Sequence, residues 1–441
     1  MSTRRNFILG LASVGSLLTI TSPSFANDLR VQSATAMTRV YGDGLRFVAV
    51  AIAYSGIVSA SDLSAKDFVV DGRTVTDVYP ATSADPASRA DSGTVVIVEL
   101  SDADASAVLA VTPERSEPAS TAPQGGKPQW KAGDHNISDT TWATPQASVR
   151  VAKVAAANGD TLAAATIETG AVTNLILDEF EQRVWNDTQT GKTLPYNLFV
   201  PKDYDPSRSY PLVNFMHDAG ATSTDPLFTL KQGLGAISWA SPEDQAKRPC
   251  FVLAPQYAEI IADDDNNTSA MLDTTINLIK ALAKEFRIDT GRLYTTGQSG
   301  GGMLSIAMNT KYPDFFAASF LVACQWGPEL VAPMVGNRLF IVTSQDDPGA
   351  FPGQNAVTEA LEDAGAVVSR AIWDGTWSAE QFRFAFDDID AEGSRINYVS
   401  FAKGTVIPEG ESTAGASGHR NTWRVAYSIE PIREWIFRVK V

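Results

Sequence analysis

The sequence predicts two domains, an all-β sandwich followed by an α/β domain built on a mostly parallel sheet with helices on both faces. Three observations predict it. Residues 28 to about 168 carry strand patterns and almost no helical period. From about residue 170, short apolar runs alternate with helical repeats. Within that second part, Gly297-Gln298-Ser299-Gly300-Gly301 stands between a strand pattern and a helical run.

In the first part, Val48, Val50, Ile52 and Tyr54 alternate with Ala49, Ala51 and Ala53, the period of a half-buried strand. Phe68–Val70 and Thr74–Tyr79 flank Asp71-Gly72, a dipeptide suited to a hairpin turn. Further strands are expected at Thr94–Leu100, Ala107–Val111 and Ser148–Ala155, with a long Pro/Gly/Ser-rich loop over Thr112–Pro145. Short strands with regular turn punctuation form a sandwich of immunoglobulin size, and the sequence lacks the Cys–Trp–Cys pattern of antibody domains. The expected boundaries are 27–168 for this immunoglobulin-like domain and 169–441 for the α/β domain.

In the second part, strands are expected at Tyr196–Val200, Tyr210–Met216, Cys250–Ala254, Leu293–Thr296, Ala317–Ala323, Arg338–Thr343 and Asn397–Phe401. Leu272, Ile276, Ile279 and Leu282 recur at helical spacing between two of them. Such alternation produces a parallel sheet covered on both faces.

Residues 1–26 read as a removable leader. Arg4 and Arg5 form its basic start, Phe7–Ile20 its apolar stretch and Ser24-Phe25-Ala26 a small-residue cleavage site. Thr3-Arg4-Arg5-Asn6-Phe7-Ile8 fits the twin-arginine export pattern, with an ordinary secretory peptide whose basic residues are paired as the alternative; either way a periplasmic or extracellular protein is expected. Removing the leader takes away two arginines and no acid, moving the net charge from −16 to −18. A surface this acidic disfavours nucleic acid and anionic membranes as partners. Composition, 44% hydrophobic and 20% charged, is that of a soluble globular protein. Cys250 and Cys324 sit in separate apolar runs and read as buried free thiols rather than a disulfide.

The chemistry is carried by Ser299. A serine at a tight strand-to-helix turn needs small neighbours, which Gly297 and Gly301 supply, and the helix behind it favours negative charge on the reacting oxygen. This context defines an α/β-hydrolase fold. A serine hydroxyl needs a base. The chain has three histidines, His135, His217 and His419, and only His419 follows Ser299, as the Ser, acid, His order of that fold requires. The orienting acid belongs after the strand Arg338–Thr343, where Asp347 is the first choice and Asp346 the second. The one not used is expected to cap a turn. Backbone N–H groups of Ala219 and Gly300 are the expected oxyanion donors. His217 is expected to brace the oxyanion loop, and Asp263-Asp264-Asp265 to form a solvated loop, with a calcium site as the lesser alternative. Trp326, Trp377 and Trp423 are expected to line an apolar pocket. No cofactor or metal is required.

These motifs resemble exported esterases in which an immunoglobulin-like domain precedes an α/β-hydrolase domain similar to polyhydroxyalkanoate depolymerases and feruloyl esterases. The resemblance spans about 28–441 and is carried by Tyr210–Gly220, Cys250–Gln256, Ile288–Met303, Ala323–Gly327 and His419–Phe437. It implies Ser299, Asp347 and His419 as the triad and a small or polymeric ester as substrate. Two positions depart from the pattern: His217-Asp218 stands where the family has His-Gly, and Thr343-Ser344 replaces the His-Gly before the acid. Rival readings are a serine peptidase of the prolyl-peptidase type and a polymer-binding protein with an inactive hydrolase domain.

Overall fold

The computed structural model describes residues 29–113, 131–135, 137–414 and 416–438. The expected leader therefore lies outside the described residues, as does residues 114–130 of the expected long loop.

The N-terminal part is a sandwich. One sheet has the order Ala171–Asn174, Val31–Tyr41, Gly44–Ser59, Ser92–Leu100, Val75–Ala81, and a second has Ala165–Glu168, Ser148–Val151, Phe68–Val70. Val50, Ile52, Tyr54, Val96 and Val98 meet Phe68, Val70, Val149 and Val151 in the core between them. Four details differ from the sequence reading. Phe68–Val70 pairs with Ser148–Val151 and not with Val75–Ala81, so Asp71-Gly72 turns the chain from one sheet into the other. Val48 is the extra residue of a bulge, because Met37 pairs with Ala49 and Thr38 with Phe47; Phe47 therefore takes the core position expected of Val48. Residues 105–107 form a 3₁₀ turn, which leaves only Ala110–Val111 as strand, and Ser148–Ala155 is two short strands. Finally, Ala171–Asn174 pairs in parallel with Thr35–Thr38, which carries the sandwich past residue 168 to Asn174.

The described residues of the C-terminal part form a nine-stranded sheet. In chain order its strands are β1 (Phe180–Asn186), β2 (Thr193–Phe199), β3 (Tyr210–Met216), β4 (Phe251–Pro255), β5 (Ile288–Gln298), β6 (Ala318–Val322), β7 (Leu339–Ser344), β8 (Val368–Trp373) and β9 (Ile396–Phe401). Their order in the sheet is β1-β2-β4-β3-β5-β6-β7-β9-β8. β1, β2 and β4 pair antiparallel; every other pair is parallel. Strands β3, β4, β6, β7 and β9 are buried at every position, the consequence of helices on both faces. Leu272, Ile276, Ile279 and Leu282 form the buried stripe of helix Met271–Glu285. This is the α/β-hydrolase fold expected, with two edge strands, β1 and β8, that the apolar runs did not mark.

Both cysteines are buried free thiols, and burial pushes each up to about 12. Among the described residues no helix is long and apolar enough to cross a membrane.

Candidate active site

The site lies beyond the carboxyl ends of the parallel strands, where each strand hands over to a loop or helix. β5 runs into helix Gly300–Lys311 through Ser299, whose φ of 51° is a backbone conformation rarely adopted by a residue with a side chain. The flanking glycines make the turn possible. A Cβ on Gly297 would lie 2.3 Å from the Gly301 carbonyl carbon, and one on Gly301 would lie 2.0 Å from the Met216 carbonyl oxygen. Both collisions are with backbone and cannot be relieved by a side-chain rotation. Gly301→Ala is accordingly expected to destabilise the fold by about 1–3 kcal/mol, read as a lowered urea midpoint.

Three side chains meet here. His419 Nε2 lies 2.9 Å from Ser299 Oγ, and His419 Nδ1 lies 2.5 Å from Asp347 Oδ2. With Nδ1–H donating to the carboxylate, Nε2 accepts from the serine hydroxyl. Asp347 follows β7 and is buried; its Oδ1 accepts from the N–H groups of Gly349 at 3.0 Å and Ala350 at 2.9 Å. Burial acts to raise its carboxyl, but the His419 hydrogen bond and charge and these two amides outweigh it and hold it below the ordinary range. Asp346, the second choice, points elsewhere: its Oδ2 accepts from Gly404 N–H, 2.6 Å away, and so caps the turn after β9. Ser344 Oγ, at the departure from His-Gly, accepts from Asp346 N–H at 3.1 Å and fixes that turn. His419 itself stands in the first turn of helix Ser417–Ala426.

The oxyanion loop follows β3. Its amide at Ala219 lies against the nucleophile turn, 3.4 Å from the Cβ position of Gly300. Among the described residues neither the Ala219 nor the Gly300 N–H has a hydrogen-bond partner, so both are open to a developing anion. Asp218 stands in this loop without disturbing this. Its Oδ1 accepts from Gly220 N–H at 2.8 Å and its Oδ2 from Gln298 Nε2 at 3.0 Å, tying the loop to the residue before the nucleophile.

His217 braces the loop. Its Nδ1–H donates to the Asp218 carbonyl at 2.7 Å, and its Nε2 accepts from Tyr257 N–H at 2.9 Å. Complete burial holds this imidazole below the ordinary histidine range, although the Asp218 carbonyl and charge oppose the shift. The native state thus resists a proton that the unfolded chain takes up near pH 6.5. Its contribution is complete above that value and is lost as pH falls towards the depressed native one. Urea unfolding should show stability falling from pH 7 to pH 5. In His217→Gln the slope should be smaller by up to one proton, about 1.4 kcal/mol per pH unit.

A cavity of about 530 Å³ opens beside Ser299, lined by Ala262, Met303, Ala323, Cys324 and Ala350 and by polar groups at its mouth. The three tryptophans expected there do not line it. Trp423, one helical turn after His419, packs edge-on behind the imidazole with ring centroids 5.1 Å apart. Trp326 belongs to the core cluster below the sheet, and Trp377 packs on Phe382 with centroids 5.8 Å apart. Large flat rings fill interior volume here, and the apolar wall of the cavity is left to Met303 and small side chains.

The acidic run also differs from expectation. Asp263 is buried, not solvated. Its Oδ1 accepts from the N–H groups of Asp265 and Asn267, and its Oδ2 accepts from Ala132 N–H at 3.0 Å. Residues 131–135, which lie in the chain between Val111 and the sandwich strand Ser148–Val151, are thereby held against the cavity loop; Gly133 N–H donates to the Ile260 carbonyl and Ile260 N–H to that of Asp134. His135 Nδ1 lies 3.0 Å from the Ala258 carbonyl in the same strap, and Ser138 N–H reaches the Thr222 carbonyl at the end of the oxyanion loop. Sequence reasoning missed this strap. Its one local signal is an Asp followed two residues on by a polar residue, the pattern of an Asx-turn. Among the described residues no group of three or more His, Cys, Asp or Glu side chains could hold a metal ion.

Residues 33–163 match the model of the esterase Ig-like N-terminal domain, and residues 257–324 match that of the prolyl oligopeptidase family. The whole structure is similar to that of a thermostable esterase, with a TM-score of 0.75 and 26% identity, over 93% of this chain and 100% of the other. The feruloyl esterase module from Clostridium thermocellum and a ferulic acid esterase from Anaeromyces mucronatus overlap more loosely. Both are 13% identical over 57% of this chain; they are covered to 86% and 89%, with TM-scores of 0.39 and 0.37. No curated protein sequence matches the chain. Fold, domain order and the likeness to the thermostable esterase define the class, a serine hydrolase of the α/β-hydrolase type. Its esterase-type Ig-like domain and its end-to-end similarity to the thermostable esterase make the chain a serine esterase.

Proposed function

We propose that this chain is an exported carboxylic-ester hydrolase working through an acyl-enzyme, with Ser299 as nucleophile, His419 as general base and acid, and Asp347 as the group that orients His419. The observation that carries the reading is the continuous relay from Ser299 Oγ through His419 to Asp347. Ser299 Oγ attacks the ester carbonyl carbon as His419 Nε2 takes its proton. The carbonyl oxygen, now anionic, sits between the Ala219 and Gly300 amides at the positive end of helix Gly300–Lys311. Collapse of this intermediate expels the alcohol with the proton held on Nε2. A water molecule, deprotonated by the same nitrogen, then releases the acid. Export rests on the leader pattern of residues 1–26, its basic start, apolar stretch Phe7–Ile20 and cleavage site Ser24-Phe25-Ala26.

A fluorophosphonate probe tests the activated serine, because it reacts only with a nucleophile whose proton has a base to go to. Stoichiometric labelling of Ser299 is expected; an unlabelled, folded protein would favour the non-catalytic binding reading. The match of residues 257–324 to the prolyl oligopeptidase model favours a peptidase as second reading. p-Nitrophenyl esters and peptide p-nitroanilides separate the two: the esterase reading expects turnover of the esters with no detectable cleavage of the anilides, whereas efficient cleavage of a peptide anilide would favour the peptidase.

A further inference from the structure

The side chains around the catalytic cavity carry charge of one sign. Among its lining residues are Asp263, Asp264 and Asp347, and no lysine or arginine. Two of these carboxylates are already committed. Asp347 faces His419 and two amides, and Asp263 is enclosed by Ala132, Asp265 and Asn267. Asp264 differs. It is exposed at the cavity mouth, its Oδ1 accepts from Gln325 Nε2 at 2.8 Å, and its Oδ2 has no partner among the described residues.

Gln325, which follows β6, presents this carboxylate from a fixed position. Its side chain lies on helix Ala350–Asp363, where a Cβ on Gly353 would come within 2.7 Å of the Gln325 Cβ and one on Gly349 within 2.9 Å of its Oε1. Packing on one side and the hydrogen bond on the other thus orient the Asp264–Gln325 pair in the lining of the cavity, to which Met303 and Ala323 also belong. The apolar part of the lining is Met303 and the small residues Ala262, Ala323, Cys324 and Ala350.

We infer that Asp264 is a specificity-determining residue of this esterase, selecting esters whose acyl or alcohol part is short and apolar with a neutral hydrogen-bond donor or a cationic group at its far end, and rejecting esters bearing a carboxylate. An anionic substrate entering the cavity meets uncompensated negative charge, whereas an ammonium or hydroxyl finds the free Oδ2 as acceptor. Because Asp264 is exposed, water and salt attenuate the effect, so the discrimination is about five- to tenfold at low ionic strength and shrinks as salt is added.

The inference rests on the esterase reading and is tested on the full chain with two matched series. One carries its charge on the acyl side: p-nitrophenyl butyrate, 4-(trimethylammonio)butyrate and hemisuccinate. The other carries it on the alcohol side: butyl, 2-(trimethylammonio)ethyl and 2-carboxyethyl acetate. In at least one series kcat/KM should be about five- to tenfold higher for the cation than for the anion at 20 mM salt, and the ratio should contract towards unity at 0.5 M. Asp264→Asn, which preserves the shape and an acceptor for Gln325, should reduce the ratio at least threefold, and Asp264→Lys should invert it. Equal rates for cation and anion in both series, or a ratio that Asp264→Asn leaves intact, would overturn the inference. Failure to hydrolyse even the neutral esters would count against the esterase reading instead, which keeps the two separable.

Discussion

Ser299→Ala should lose ester turnover by about a millionfold, the scale on which removal of a serine nucleophile acts, while the protein remains folded. Among the described residues the only side-chain hydrogen bond of Ser299 is the one to His419. Its backbone is held independently, with its N–H on the Val322 carbonyl at 3.0 Å, and alanine bears the φ of 51° no worse than serine does. Thermal unfolding should therefore shift by no more than a few degrees, and fluorophosphonate labelling should vanish. A variant with a tenth of wild-type kcat would eliminate Ser299 as the nucleophile.

Asp347→Asn should cost about four orders of magnitude in kcat, for a reason visible in the hydrogen bonds. The asparagine carbonyl can still accept from Gly349 and Ala350, which leaves its NH₂ facing His419 Nδ1. Two donors cannot face each other, so the imidazole moves its proton to Nε2 and has no lone pair left for the serine. Asp346→Asn keeps an acceptor for Gly404 N–H and should cost less than about fivefold. If the two effects came out in the opposite order, Asp346 would be the orienting acid. The native environment of Asp347 favours its charged form, so that contribution to stability is complete at neutral pH and fades as pH falls through the lowered native value.

The parts that were legible in the sequence are those where one physical demand dominates. Strands covered on both faces must be apolar throughout, and β3, β6, β7 and β9 were readable for that reason. The nucleophile turn was readable because close backbone contacts at Gly297 and Gly301 exclude any side chain. Chain order left His419 as the one histidine beyond Ser299. The edge strands β1 and β8 were not readable, since each leaves several side chains in water and its composition resembles a loop. Val31–Tyr41 escaped for a related reason: its buried residues include Ala34 and Ala36, whose small side chains give little periodicity. The cavity wall was misread because tryptophan signals burial without saying whether in a core or a pocket. Asp263 was misread because three consecutive aspartates imply solvent, whereas local and strap N–H groups satisfy the first of them.

The contact between the sandwich and the α/β domain carries a thermodynamic consequence. The strap touches the cavity loop at Asp263 and the oxyanion loop at Thr222, and the turn at Gly42 sits so close to the helix of His419 that a Cβ there would lie 2.9 Å from the Arg424 carbonyl oxygen. Three segments of the site thus rest on the N-terminal domain. Linkage between binding and docking is reciprocal. A ligand that binds more tightly when these segments are seated must hold the sandwich in place by the same free energy, and whatever loosens the sandwich must weaken the ligand in equal measure.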